Sequence, residues 1–338
     1  MIWIAVDAMG GDTAPGLVVD GALAAARHLD LGVVLVGPVS RLEAQVERHA
    51  IGIEASKVRF VEAGAVIDMV ESPSAALRRK PNASIKVAAD LVARGEAAAL
   101  FSAGHTGATV MAAHGSFGMI AGVDRPALAA TIPTKGRPAI LLDVGASVEC
   151  RPAHLLQFAV MGSVYARVAF GMDEPRVGLL SIGEEATKGN DLTREAHRLL
   201  KGGTALNFIG NIEARDVYSG DADVIVCDGF TGNVALKISE GLVDTIESLL
   251  REELSSTITM RVGSLLTQRA MRHFKRRVDY SEYGGAPLLG VAGITIVGHG
   301  RSSAKAVRNA VAMAYRFASG QFIQRVEREI AVVAVPHQ

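Results

Sequence analysis

Residues 4–15 read IAVDAMGGDTAP. An apolar run ends at Asp7, two adjacent glycines and a second aspartate follow, and Pro15 opens a stretch with helical spacing. Strand, glycine turn and helix start thus succeed one another within a few residues. Further strand candidates are the β-branched runs at 33–36, 58–61, 98–101, 139–142, 177–181, 205–209 and 224–227, beside Ile2–Val6 itself. They are almost continuously apolar rather than alternating, as expected of parallel strands covered on both faces. Between them lie Ala-rich stretches with helical spacing at 15–28, 40–50, 84–94, 106–118, 153–170, 191–200, 232–254 and 303–318. Strand–helix alternation of this kind predicts an α/β fold, a doubly wound α/β/α sandwich. No internal repeat or Pro/Ser-rich linker divides the chain, so residues 1–338 are read as a single catalytic domain. One segment breaks the rhythm: residues 249–280 have no strand pattern and a dense basic end, and are expected to form a helical arm, broken near Ser255–Thr259, that projects from the sandwich.

Composition narrows the partners. Lys and Arg number 35 and Asp and Glu 35, so net charge draws the chain to neither nucleic acid nor anionic lipid. Cys150 and Cys227 sit in unrelated contexts, without a disulfide framework or zinc spacing, which fits a reducing cytoplasm. The opening MIWIAVDAMGG lacks a basic signal-peptide region. The longest near-apolar window, PLLGVAGITIV at 287–297, is too short and too glycine-rich to span a membrane.

In open α/β sheets, ligands bind beyond the carboxyl ends of the strands. The segments in that position here are DAMGGD, SAGHTGA, DVGAS, SIGEEATKGN, GNIEARD and DGFTGN. Each is rich in Gly, Ser, Thr, Asn or Asp, and several run straight into a helix, whose first amides are unpaired and lie at the positive end of its dipole. Three or four such loops, if they converge, make a cradle for phosphate. Neither G-x-G-x-x-G after a strand nor G-x-x-x-x-G-K-[ST] occurs, which weighs against dinucleotide and P-loop sites. No cluster has metal-ligand spacing, so no metal and no cofactor is expected.

The segments DAMGGD, SAGHTGA, IGEEATKGN, FIGNIEARD, VCDGFTGNVALK and DYSEYGGAPLLGVAGITIVGHG resemble, in order and across nearly the whole chain, the signatures of the bacterial phosphate acyltransferase family of phospholipid synthesis. His105 and Ser147 depart from it, since Asn is the more usual residue at both positions. The resemblance implies the isocitrate/isopropylmalate dehydrogenase-like fold shared with phosphotransacetylases. It also implies reversible transfer of a fatty acyl group from acyl carrier protein to inorganic phosphate, a homodimer, and peripheral association with the inner face of the cell membrane or with a membrane glycerol-phosphate acyltransferase.

Phosphate is then the nucleophile and a thiolate the leaving group, so no Ser or Cys nucleophile is required; position and oxyanion stabilisation are. Lys188 in TKGN is the candidate to neutralise phosphate and oxyanion, against pairing with Glu184. Asn233 is the candidate amide donor, with Thr231 expected as helix N-cap and capping alone as the bland alternative. Phosphate-binding candidates are Gly10, Gly11 and Asp12; Gly104, His105, Thr106 and Gly107; Gly189 and Asn190; and Thr231 and Gly232. Asp7 and Asp12 either shape their loop or touch substrate. His105 is a hydrogen-bonded helix-start residue or a ligand, His299 is similarly ambiguous, His114 reads as structural, and Arg151 and Arg215 read as phosphate ligands or surface pairs. Arg269, Arg272, Lys275 and Arg276 largely share one helical face, a docking surface suited to an acidic carrier protein. Ile258, Met260, Val262, Leu265 and Leu266 would form an apolar tip for a bilayer or a second subunit.

Three other readings compete with this one. An NAD-dependent decarboxylating dehydrogenase of the same fold needs an acidic metal site that the sequence lacks. A non-catalytic scaffold has no use for repeated glycine loops. A CoA-linked phosphotransacetylase differs in its thioester carrier, and the basic arm favours the protein carrier.

Overall fold

The computed structural model describes residues 1–49, 52–202, 205–257, 259–260, 263, 268–269, 271, 274 and 283–333. Chain order is β1 (Ile2–Asp7), α1 (Gly16–His28), β2 (Leu31–Gly37), α2 (Val39–His49), β3 (Val58–Glu62), α3 (Pro73–Arg79), α4 (Ser84–Ala93), β4 (Ala99–Ser102) and α5 (Thr106–Phe117). It continues with β5 (Ala127–Ile132), β6 (Ala139–Leu142), α6 (Pro152–Phe170), β7 (Arg176–Ser181), α7 (Asp191–Lys201), β8 (Asn207–Glu213) and β9 (Val224–Val226). The last part holds α8 (Gly229–Ser255), β10 (Ala286–Leu289), β11 (Ile294–Val297), α9 (Ala304–Ser319) and α10 (Phe322–Val333).

All eight expected strands and all eight expected helices are present, with α3, β5, β10, β11 and α10 added. The strands form one eleven-stranded sheet in the order β3-β2-β1-β4-β11-β10-β5-β6-β9-β7-β8. An all-parallel sheet is not what forms. β3, β2, β1, β4 and β11 run together, and β6, β9, β7 and β8 run together. Between these blocks, β10 is antiparallel to both β11 and β5, and β5 is antiparallel to β6. The two parallel blocks therefore point in opposite directions, which places their carboxyl ends at opposite ends of the strands.

Both faces are covered. On one, α1, α6 and α9 pack over Ile4, Val6, Leu35, Phe101 and Leu142. The centre of that face is α6, with Phe158, Met161, Val164 and Tyr165 completely buried. Tyr165 and Phe317 meet edge to face at 5.1 Å, and Phe317 stacks on Phe322 at 4.5 Å, which docks α10. Gly21 lets α1 approach α9, since a Cβ there would lie 2.4 Å from the carbonyl oxygen of Ala304. On the other face, α4 and α5 pack over Ala5, Val34 and Leu100. The outer turns of α8, by contrast, are exposed around most of their circumference, and most of the expected arm at 249–280 lies outside the described residues.

Candidate active site

The opposed blocks sort the candidate residues into two groups, one at each end of the strands. The first group comprises the loops after β1, β4 and β11. They interlock through backbone: Gly10 lies so close to Gly104 that a Cβ would come within 2.7 Å of the Gly104 nitrogen. Asp12 N–H donates to the Gly300 carbonyl at 2.8 Å, and Gly11 turns at φ 107° against the Gly300 and Ala103 carbonyls. Beneath them Asp7 is 2% exposed and accepts Ser102 Oγ–H at 2.7 Å and the Met9 amide at 3.3 Å. Burial raises its pKa above the ordinary carboxylate value, and these hydrogen bonds only partly oppose that shift. Of the two readings of Asp7, the structure supports loop shaping.

His105 is the N-cap of α5, its Nδ1 accepting the Gly107 amide at 3.1 Å. An acceptor Nδ1 leaves the proton of a neutral ring on Nε2. His299 Nδ1 accepts the Arg301 amide at 3.1 Å in the same i+2 manner. Several expected cradle amides are thus already engaged: Gly10 with the Asp7 carbonyl, Gly104 with Ser102 Oγ, Gly107 with His105. The amides of Gly11, His105 and Thr106 have no partner among the described residues and lie at the N-terminal end of α5. Arg301, which sequence reasoning passed over, is exposed at this end with no ion-pair partner among the described residues. Its signal was its place two residues after His299 in the loop between β11 and α9.

The second group comprises the loops after β6, β9 and β7, organised by another residue the sequence did not single out. Asp143 is fully buried and accepts the amides of Leu128, Gly145, Ala146 and Ser147 at 2.8, 3.0, 2.9 and 2.6 Å. Burial raises its pKa too. The N-terminus of α8 rests directly on this loop, since a Cβ on Gly232 would lie 2.0 Å from the Asp143 carbonyl oxygen. Asp228, not Thr231, is the N-cap: its carboxylate accepts the Thr231 amide at 2.9 Å and the Thr231 hydroxyl at 2.7 Å. An Asp carboxylate reaches the N3 amide from the position before the first helical residue, which moves the helix start three residues ahead of the expected one. The Thr231 and Gly232 amides are accordingly taken up by Asp228.

Asn233 is exposed and its amide lies against Gly145, where a Cβ would meet Asn233 Nδ2 at 2.6 Å. Lys188 is exposed, its stem folded over Gly183, and it pairs with neither Glu184 nor any other carboxylate of the described residues. Gly189 turns at φ 100° and Asn190 caps α7 by accepting the Thr193 amide at 2.9 Å. Arg215 is a surface pair with Glu213 at 3.1 Å, Arg151 precedes α6 as its exposed N-cap, and His114 is on the exposed face of α5. Cys227 is buried and Cys150 half-buried, with burial pushing the Cys150 thiol to about 11 and that of Cys227 well above its usual value. Neither is a thiolate at neutral pH.

Of the proposed docking residues, Arg269 is exposed; Arg272, Lys275 and Arg276 lie outside the described residues. In the apolar tip Met260 is 51% exposed, while Ile258, Val262, Leu265 and Leu266 lie outside them. Among the described residues no group of three or more His, Cys, Asp or Glu is placed to hold a metal ion.

Known proteins place this architecture. Phosphotransacetylase from Streptococcus pyogenes superposes with a TM-score of 0.64 over 94% of both chains at 16% identity. EutD phosphotransacetylase from Staphylococcus aureus gives 0.60 at 17% identity over 94% of each chain. A 4-hydroxythreonine-4-phosphate dehydrogenase from Klebsiella pneumoniae gives 0.54 at 12% identity, over 94% of this chain and 99% of that one. These likenesses show the dehydrogenase-like α/β/α fold. A phosphate acyltransferase from Nitratidesulfovibrio vulgaris (strain DP4) is 50% identical over 97% of this chain and 94% of its own length. One from Pelotomaculum thermopropionicum is 48% identical over 98% and 96% respectively. The family model for fatty acid synthesis proteins matches residues 2–325, so the chain belongs to that family, among the phosphate acyltransferases, and is an acyltransferase.

Proposed function

We propose that this protein transfers a fatty acyl group reversibly from acyl carrier protein to inorganic phosphate, forming an acyl phosphate for phospholipid synthesis. The observation that carries the reading is the first loop group: three interlocked glycine loops at a helix N-terminus, where the amides of Gly11, His105 and Thr106 and the guanidinium of Arg301 have no partner among the described residues. Backbone donors at a helix start with one nearby cation suit a small oxyanion.

A phosphate oxygen held there attacks the thioester carbonyl. The C–O bond forms, the C–S bond breaks, and the carrier thiol leaves as thiolate. Because phosphate supplies the electron pair, the protonated state of Cys150 and Cys227 is no obstacle. The chain's task is to hold phosphate in line and to stabilise the oxyanion. Lys188 and Asn233 are proposed as donors to that oxyanion. They stand at the other end of the strands from the cradle, so both groups serve one reaction only if the substrate or a second copy of the chain spans them.

The carrier protein is proposed to dock on the basic face containing Arg269, and the chain to act in the cytoplasm as a homodimer with peripheral membrane contact. No helix among the described residues is long and apolar enough to cross a membrane. The test is phosphate-dependent release of carrier thiol, with hydroxylamine trapping of the acyl phosphate, using palmitoyl-acyl carrier protein and palmitoyl-CoA in parallel. Arg301→Ala is expected to raise KM for phosphate more than tenfold, and Lys188→Ala to lower kcat on the order of 100-fold, the cost of losing one oxyanion donor. Turnover with CoA alone would reassign the donor, and no phosphate-dependent turnover with either would overturn the reading.

A further inference from the structure

Beside the cradle, α8 roofs an apolar cavity of about 150 Å³ whose buried walls are Leu128, Ala130, Val297 and Ala306. Thr106, His299 and Ser302 of the cradle also line it. A second cavity of about 330 Å³ continues it, lined by Ile132, Pro133, Tyr218 and Val243. The two share Thr131, Leu236, Glu240 and His299, so they adjoin and together outline a channel. The larger part alone falls in the volume range of small-molecule sites, about 300–1,000 Å³.

The walls have the chemistry of an alkyl-chain site. Thr131 contributes no free hydroxyl, since its Oγ1 is hydrogen-bonded to buried Tyr165 at 2.8 Å. On the roof, Leu236, Glu240 and Val243 recur at helical spacing on the face of α8 turned to the channel. Glu240 is neutralised by Lys237 at 2.8 Å. Lys237, Ser239, Asp244 and Arg301 add polar atoms to the lining.

We propose that this channel holds the fatty acyl chain, carbonyl end at His299 and Thr106, methyl end toward Tyr218 and Val243, and that Tyr218 and Val243 set the preferred chain length. The inference rests on the acyl-transfer reading for its substrate and adds to it a location and a length gauge. A straight apolar chain gains about fourfold in binding for each methylene it buries, so a wall that displaces two methylenes costs roughly fifteen-fold on chains long enough to reach it.

Two measurements test this. The first is the ratio of kcat/KM for palmitoyl- to octanoyl-acyl carrier protein. Val243→Trp, shortening the channel, is expected to lower that ratio at least tenfold, and Tyr218→Ala, opening its end, to raise stearoyl over palmitoyl turnover. The second is binding of cis-parinaric acid, a fluorescent long-chain fatty acid, displaced by palmitate and weakened by Leu236→Gln. Val332→Trp, on the exposed end of α10, is the control for a bulky surface residue. Thermal melts identify any variant that fails to fold, and the opposite expected directions of Val243→Trp and Tyr218→Ala keep the idea testable if one does. An unchanged ratio, or equal loss at every chain length in a folded variant, would overturn the channel even though acyl transfer proceeds. Displaceable probe binding without phosphate-dependent transfer would instead support the channel and sink the acyl-transfer reading. Loss of both would sink both.

Discussion

Asp7 and Asp143 stand at the carboxyl ends of β1 and β6, at opposite ends of the strands, and each gathers a glycine loop around its carboxylate. Burial raises both, so their ionisation opposes folding. The sign follows from proton counting. Between the unfolded value of 3.8 and its higher folded value, Asp7 holds a proton in the native state that the unfolded chain lacks. Its favourable contribution is therefore fully present below 3.8 and lost as pH rises through the folded value. Asp7→Asn removes that dependence while keeping an acceptor for Ser102. The difference in Tm between variant and parent, followed from about pH 4 to 7, is expected to move in the variant's favour as pH rises. A difference independent of pH would show that Asp7 has the same pKa folded and unfolded.

At the level of elements, the chain's letters revealed most helices and eight of the eleven strands but not the direction of the sheet. β5 (ALAATI) and β10 (APLL) are buried on nearly all sides, which erases the alternation that distinguishes antiparallel strands. The window 287–297 was visible as apolar, yet its glycines concealed a hairpin, with Gly290 at φ 89° after β10. That hairpin and β5 reverse the sheet, so loops legible one by one could not be sorted into two groups. Asp143 was equally hidden, since nothing in DVGAS tells a ligand-facing aspartate from one consumed by its own loop. The close approach of Gly10 to Gly104 gives this scale its prediction. Gly10→Ala puts a methyl 2.7 Å from Asp7 Oδ2 and the Gly104 nitrogen, and overpacking of this kind costs about 1–3 kcal/mol. Parted loops should also raise KM for phosphate. Gly115, inside α5 with open space around it, is the contrast. There Ala is expected to stabilise by about 0.5–1 kcal/mol without altering KM. Denaturant unfolding and phosphate titration of the two variants separate local packing from a general response to added bulk.

For the molecule as a whole, the question is how two separated groups serve one reaction. Along α8, Phe230, Val234, Ile238, Leu242 and Ile246 are each at least 40% exposed and fall at four-residue steps on a face different from the one lining the channel. Such a stripe on an exposed helix suits a second copy of the chain meeting it about a two-fold axis. If that copy brings its Lys188 and Asn233 to the first copy's cradle, each active centre is built from both chains. Assayed at phosphate well below the parental KM, where each alone is at least tenfold impaired, Arg301→Ala and Lys188→Ala should then complement when unfolded together and refolded as a mixture. Random pairing makes half of the dimers mixed, and each mixed dimer has one intact centre of two, so about a quarter of parental activity should return. Leu242→Glu, added to both chains to disrupt the stripe, should abolish the recovery and halve the mass seen by sedimentation. If mixing restores nothing although the parent sediments as a dimer, each centre lies within one chain, and Lys188 must act on substrate that reaches across its own sheet.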